Sequence, residues 1–457
     1  MYNLAKGKVS RGHDVYIKKI ILKNIRCFKD VEISYDLSGN VPPWTVIVGD
    51  NSAGKTTLLR SIAIGLCDES SAAGLLKESD SGYVRSGEKE GKIIIELSEM
   101  NYRIETSIEH KETKIGYYEK VRQTTEPPKN FPWEKLFVAA YGAGRGTSGT
   151  GDIAGYSVIN AVYNMFNYNE GLQNPELVIR RFKKAETQNE VKRILEKLLD
   201  VDKIDVEKSG ITIDGKWGKK MPLRDLADGY KSTFLWITDF LGWAISFNPR
   251  IRKGANAKGI ILIDEIEQHL HPKWQKEIIE QLKKQFPKSQ FIITTHSPLV
   301  ASSFGTLTQK DIDKRILLSL SPNDGVIKEE LPPMIGWRVD KILASKAFEY
   351  QITGESDEVD KLLYEASMLA GKTKRTKQEN AIYLKIKQKI ALARLSERQT
   401  ETEDEIDRRV AEYLIGQIKQ KEKSIFGEDN DKNIPSTKTH KTFVKRAAKK
   451  KGKYVQI

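Results

Sequence analysis

Cysteine is nearly absent from this 457-residue chain, which has only Cys27 and Cys67. They stand far apart and without metal-type spacing. That excludes a disulfide-stapled scaffold and a thiolate zinc site, and it points to a reducing, cytoplasmic compartment. No apolar run approaches the roughly 18 residues of a membrane helix, so no membrane partner is expected. The opening stretch MYNLAKGKVSRGHDVY lacks the apolar core of a signal peptide. Acids are missing near the other end. From Lys432 to Lys453 there are nine Lys or Arg and no Asp or Glu. Those nine account for most of the net charge of +14 and leave about +5 for the rest. Such a segment binds phosphates nonspecifically, docks on an acidic partner or stays solvated.

What is present suits a globular protein of roughly two or three domains, with 39% hydrophobic and 30% charged residues. Residues 16–36 alternate apolar and polar side chains and read as two strands. A short buried strand is expected at Thr45–Val48, a helix after it, and amphipathic strands over 92–108. Another buried strand precedes a Gly-rich loop in EKLFVAAYGAGRGTSGTGDIAGYS. Residues 155–200 read as mostly helical, with a small β segment near 211–217. The expected organisation is a head over 1–345 with a helical insert at about 155–210, a charged helical extension over 346–427 and a basic tail over 428–457.

The stretch GDNSAGKT, Gly49 to Thr56, is a complete G-x-x-x-x-G-K-T (Walker A) phosphate loop between an expected strand and an expected helix. Backbone amides of Gly49, Asp50, Asn51, Ser52, Ala53, Gly54, Lys55, Thr56 and Thr57 can cradle phosphates, helped by the helix N-terminus. Lys55 reaches the terminal phosphates of ATP, and the Thr56 hydroxyl is a ligand for Mg2+. Such a loop needs an acid across the site. GIILIDEIEQHLHP supplies one, as an apolar strand ending in Asp264 and Glu265. Asp264 is the metal ligand in this reading and Glu265 the general base. A second buried strand, QFIITTHSP, delivers His296 to the same sheet edge, where a neutral imidazole can read the terminal phosphate. His269 and His271 read as packing or subunit contacts, since H-x-H finds no further zinc ligands.

LADGYKS, Leu226 to Ser232, resembles the divergent signature motif of ABC-type ATPases of the chromosome-maintenance, RecF-like and OLD-like group. The order of phosphate loop, signature, acid pair and histidine matches over roughly 16–345. The implied fold is an α/β P-loop NTPase, an ABC-type head with an N-terminal β lobe. The resemblance implies that Ala227, Asp228, Gly229 and Tyr230 face the nucleotide of a second subunit, in a homodimer or higher oligomer. Asp228 stands where transporters carry a second glycine.

YGAGR, Tyr141 to Arg145, and PPMIGWRVDKILASKAF, Pro332 to Phe348, are similar to segments of Septu-type and retron-associated anti-phage ATPases. That likeness implies a separate HNH-like nuclease partner. Arg145 either approaches phosphate or nucleic acid or caps the insert. This chain shows no nuclease centre of its own, because His440 stands alone and no buried strand precedes the acids of ITGESDEVD. The alternatives are a RecF-like DNA repair ATPase and a nucleotide-switched scaffold with little turnover.

Overall fold

The computed structural model describes residues 15–303 apart from breaks at 36–43, 50–51, 80, 99–101, 114–115, 128–130, 146–154, 168, 170, 183 and 249–256. It also describes 315–320, 329–331, 342 and 382–386. Asp50, Asn51, the expected tail and nearly all of the expected extension lie outside the described residues, as does the 332–348 segment apart from Ile342. Contacts divide the chain into Met1–Ile352 and Thr353–Ile457, and in the second unit only a short helical stretch at 382–386 is described.

Alternation of side chains builds the first layer. In β1 (Ile17–Ile25) and β2 (Phe28–Ser34) the buried residues recur on one face. After them β3 (Trp44–Gly49) is buried at every position and leads into α1 (Lys55–Gly65). Helix α2 (Glu69–Lys77) follows, N-capped by Asp68, whose carboxylate accepts from the Ser71 amide. The strands β4 (Glu90–Leu97), β5 (Arg103–Thr113) and β6 (Gly116–Glu126) complete an antiparallel sheet of order β2-β1-β4-β5-β6.

The chain continues through β7 (Val138–Tyr141), α3 (Val158–Val162), α4 (Pro175–Arg181) and α5 (Ala185–Leu199). The insert is not helical to its expected end near 210. Helix stops at Leu199, and β8 (Lys203–Glu207), β9 (Gly210–Gly215) and β10 (Gly218–Pro222) form a separate three-stranded sheet. Its first strand, KIDVE, buries only Ile204 fully, so its apolar pattern is too sparse to show in sequence. Then come α6 (Asp228–Phe247), β11 (Gly259–Ile263), α7 (Pro272–Gln285), β12 (Ser289–Thr294), α8 (Pro298–Ser303), β13 (Arg315–Leu320) and β14 (Glu329–Leu331).

A second sheet runs β14-β13-β3-β12-β11-β7, parallel except for the β13–β14 edge. Its inner strands are apolar on both faces because both are covered. Ile260 and Leu262 point into one core with α1 and the antiparallel sheet. Ile261 and Ile263 point into the other core, with α5, α6 and α7. Register places Ile263 beside Ile293, so the next residues, Asp264 and Thr294, emerge level with one another. Among the described residues no helix is long and apolar enough to cross a membrane.

One carboxylate lies inside the second core. Asp239, in the middle of α6, is 3% exposed and accepts from the Tyr141 hydroxyl (2.9 Å) and the Gln173 amide (2.9 Å). Burial pushes its carboxyl up from 3.8 to about 6, against the pull of those donors. The fold therefore prefers the protonated acid. This contribution is present below pH 4 and is lost as pH rises through 6. Asp239→Asn removes the titration. In urea unfolding, the variant's stability relative to wild type should rise between pH 4 and 6 by roughly 3 kcal/mol and then level off. A difference independent of pH would show that Asp239 does not titrate in this range.

Candidate nucleotide site

The phosphate loop turns through positive-φ backbone, at Gly49 (φ 148°), Ser52 (φ 66°) and Gly54 (φ 95°) among its described residues. Gly54 sits immediately before α1. A β-carbon there would lie 2.6 Å from Cys27 Sγ and 2.9 Å from the Phe28 ring, so both space and dihedral require glycine. Lys55 opens the helix but is 5% exposed, because its ammonium turns back over the loop and donates to the Gly49 carbonyl (2.8 Å).

The acid strand meets this loop directly. The Thr56 hydroxyl donates to Asp264 Oδ2 (2.7 Å), and the Thr294 hydroxyl donates to Asp264 Oδ1 (2.5 Å). The same Thr294 oxygen accepts the Glu265 amide (2.8 Å). Asp264 is 1% exposed, and these donors meet the demand of a buried carboxylate. His296 lies beside the lysine, with Lys55 Nζ 3.5 Å from Nδ1. An ammonium only donates, so this contact leaves the lone pair on Nδ1 and the ring proton on Nε2. Burial and then the Lys55 charge pull the imidazole below its usual value, and the ring is neutral at pH 7. The His296 amide donates to Glu267 Oε1 (2.5 Å), which ties the histidine loop to the acid loop.

The structure thus brings together Gly49, Lys55, Thr56, Asp264 and His296, with Glu265 adjoining. The signature residues are not in this bonded cluster among the described residues. Ala227 and Asp228 are exposed, and Asp228 pairs with Lys231 (2.8 Å). Gly229 packs on the acid loop instead. A β-carbon on it would stand 2.2 Å from the His269 carbonyl oxygen. Tyr230 stacks edge-on between Trp217 (4.6 Å) and Trp274 (4.2 Å). His269 is exposed, and His271 N-caps α7.

Arg145 reaches neither solvent nor the loop surface. It is 1% exposed beneath the acid pair, contrary to either expected role. Thr294 and Glu267 also belong to the site, through the Asp264, Glu265 and His296 bonds above, though neither stands out in its stretch of sequence. The parallel register at Ile263 and Ile293 is the signal that places Thr294 beside Asp264.

The donor set fits a hard cation. A hydroxyl and a carboxylate in contact are the oxygen donors that Mg2+ takes, so Thr56 and Asp264 would hold the ion. Among the described residues no cluster of three or more His, Cys, Asp or Glu offers an alternative metal site.

The fold and this cluster define the class: an α/β ATPase-type domain with a phosphate loop, that is, a P-loop NTPase. Residues 16–139 match the family "AAA ATPase domain", and residues 157–302 match "AAA domain, putative AbiEii toxin, Type IV TA system". The chain is similar to the Septu protein PtuA of Bacillus mycoides, at 30% identity over 74% of this chain and 45% of that protein. It is also similar to the "Retron Vc95 probable ATPase" of Vibrio cholerae, at 34% identity over 32% of this chain and 27% of that one. The chain therefore spans under half the length of either relative. The SMC head domain from Thermotoga maritima aligns with TM-score 0.38 and 16% identity, over 69% of this chain and 99% of that one.

Two substitutions test the packing of the site. Thr294→Val leaves the Glu265 amide without its acceptor and should cost about 1–3 kcal/mol in chemical denaturation, whereas Thr294→Ser should cost less than about 1 kcal/mol. A loss in Thr294→Ser with none in Thr294→Val would assign the cost to the methyl group. Gly229→Ala should destabilise by about 1–3 kcal/mol through the His269 clash. A neutral alanine there would refute the close approach.

Proposed function

We propose that this protein binds ATP with Mg2+ and hydrolyses it to ADP and phosphate, as a dimerising ATPase that senses or regulates within an anti-phage defence complex containing a separate HNH-like nuclease. The observation that carries the chemistry is the Thr56–Asp264 contact under a lysine folded over the same loop. Lys55 and the loop amides bind phosphate oxygens. Thr56 and Asp264 are the residues that would hold Mg2+. When bound, that ion neutralises charge on the phosphates. Glu265 takes the proton of the attacking water, and neutral His296 hydrogen-bonds the terminal phosphate.

The exposed signature at Ala227–Asp228 supports assembly with a second copy. Similarity to Septu and retron ATPases supports the defence setting. The charged segment 346–427 and the basic segment 428–457 are the proposed regions for partner or nucleic-acid contact.

Phosphate release and nucleotide binding test the reading together. Glu265→Gln should lose turnover by about 100-fold or more while retaining ATP, and should accumulate dimer in ATP-containing gel filtration. Lys55→Ala should lose nucleotide affinity by about tenfold or more. Wild-type turnover in Glu265→Gln would remove the general base. Wild-type ATP affinity in Lys55→Ala would overturn the phosphate-loop assignment.

A further inference from the structure

Arg145 is a full positive charge placed where a cation is costly. Its guanidinium is 1% exposed, yet its hydrogen bonds go to carbonyl oxygens rather than carboxylates. Nη1 donates to Gly142 O (3.0 Å) and Asp264 O (2.6 Å), and Nη2 donates to Glu265 O (2.7 Å). Burial lowers its pKa to about 10, and the charges of Glu267, Asp264 and Glu265, in that order, oppose the fall, so it stays cationic at neutral pH. Lysine has no equivalent geometry, because only the planar fork can grip two successive carbonyls from one side.

The gripped segment is itself unusual. Glu265 has φ 47°, a left-handed backbone that a glutamate rarely adopts without being held. The Asp264 amide donates to Tyr141 O (2.8 Å), and the Glu265 amide donates to Thr294. Both carbonyls of the acid pair go to Arg145. Beyond them Glu267 holds the His296 amide, and its other carboxylate oxygen is buried without a hydrogen-bond partner. The cation thus sits under the turn that connects the acid pair to the histidine loop.

We propose that Arg145 is a positioning residue: by gripping the Asp264 and Glu265 carbonyls it holds the Glu265 backbone in its left-handed turn and so aims the carboxylate for hydrolysis, without touching nucleotide. This rests on the hydrolytic reading above for its effect on rate, but not for its effect on the backbone. Loss of the grip therefore reduces the rate of the chemical step more than ground-state binding.

The test uses the full chain and two readouts, hydrogen exchange of the 264–268 amides and steady-state ATP turnover with measured nucleotide affinity. In Arg145→Ala, exchange in 264–268 should accelerate by about tenfold or more while β11 keeps wild-type protection. In the same variant kcat should fall by about 100-fold, with nucleotide affinity within about threefold. Arg145→Lys should fall between the two. Millimolar methylguanidinium should restore protection and about tenfold of the lost rate to Arg145→Ala.

Unchanged exchange at 264–268 in Arg145→Ala would overturn the proposal. So would loss of protection across β3, β11 and β12 in both variants without rescue, which would make Arg145 a core element only. A wild type without turnover would sink the hydrolytic reading, and the exchange measurement would still decide the role of Arg145.

Discussion

A carboxylate with 1% exposure at the end of a central strand must find its hydrogen-bond donors in the protein, and the head is arranged around that demand at Asp264. The two donors come from different elements. Thr56 arrives from the first turn of α1, and Thr294 from the end of β12. Both reach Asp264 only because β3, β12 and β11 lie side by side and parallel, with their C-terminal ends at one edge. The phosphate loop is therefore tied to the acid strand by a short bond between two side chains with metal-binding chemistry, and Lys55 and His296 are carried to the same edge by the same strands.

The other flank of the acid strand is held by β7. Tyr141 O takes the Asp264 amide, Thr294 takes the Glu265 amide, and Arg145 takes both following carbonyls. Every backbone polar group of the acid pair is thus bonded, one by β12 and three by β7 and its loop. A left-handed glutamate costs of order 1 kcal/mol or more, and such a conformation persists where its surroundings over-determine it. Four bonds on two residues supply that over-determination.

Much of this architecture was legible in the sequence. Unbroken apolar runs ending in Asp264 and His296 read as strands buried on both faces, and a Gly-rich loop between strand and helix read as a phosphate cradle. Those signals are local and strong. The rest depended on pairing. Thr294 is unremarkable in FIITTHSP until register sets it level with Asp264. Arg145, in a glycine-rich loop, has a sequence context that favours exposure. Only the position of β7 beside β11 turns it beneath the acids. Gly229 belongs to the segment that the resemblance turns toward a second subunit's nucleotide, and the structure adds a steric reason for glycine in the His269 carbonyl. The β8–β10 sheet was mostly missed because its strands are short and half exposed.

The signature helix is joined to the acid loop at two levels. At its start Gly229 abuts the His269 backbone, within the loop that continues from the acid pair. Farther along α6, Asp239 takes the Tyr141 hydroxyl, and the carbonyl of that same tyrosine holds the Asp264 amide. A displacement of α6 therefore cannot leave Asp264 and Glu265 untouched, because the connecting groups are buried, hydrogen-bonded and close-packed. Under the proposed dimeric reading, contact of a second copy with the exposed Ala227–Asp228 surface acts on a rigid helix with two ties to the acid pair. That is a physical linkage through named bonds, a stronger warrant for coupling between assembly and chemistry than spatial nearness alone.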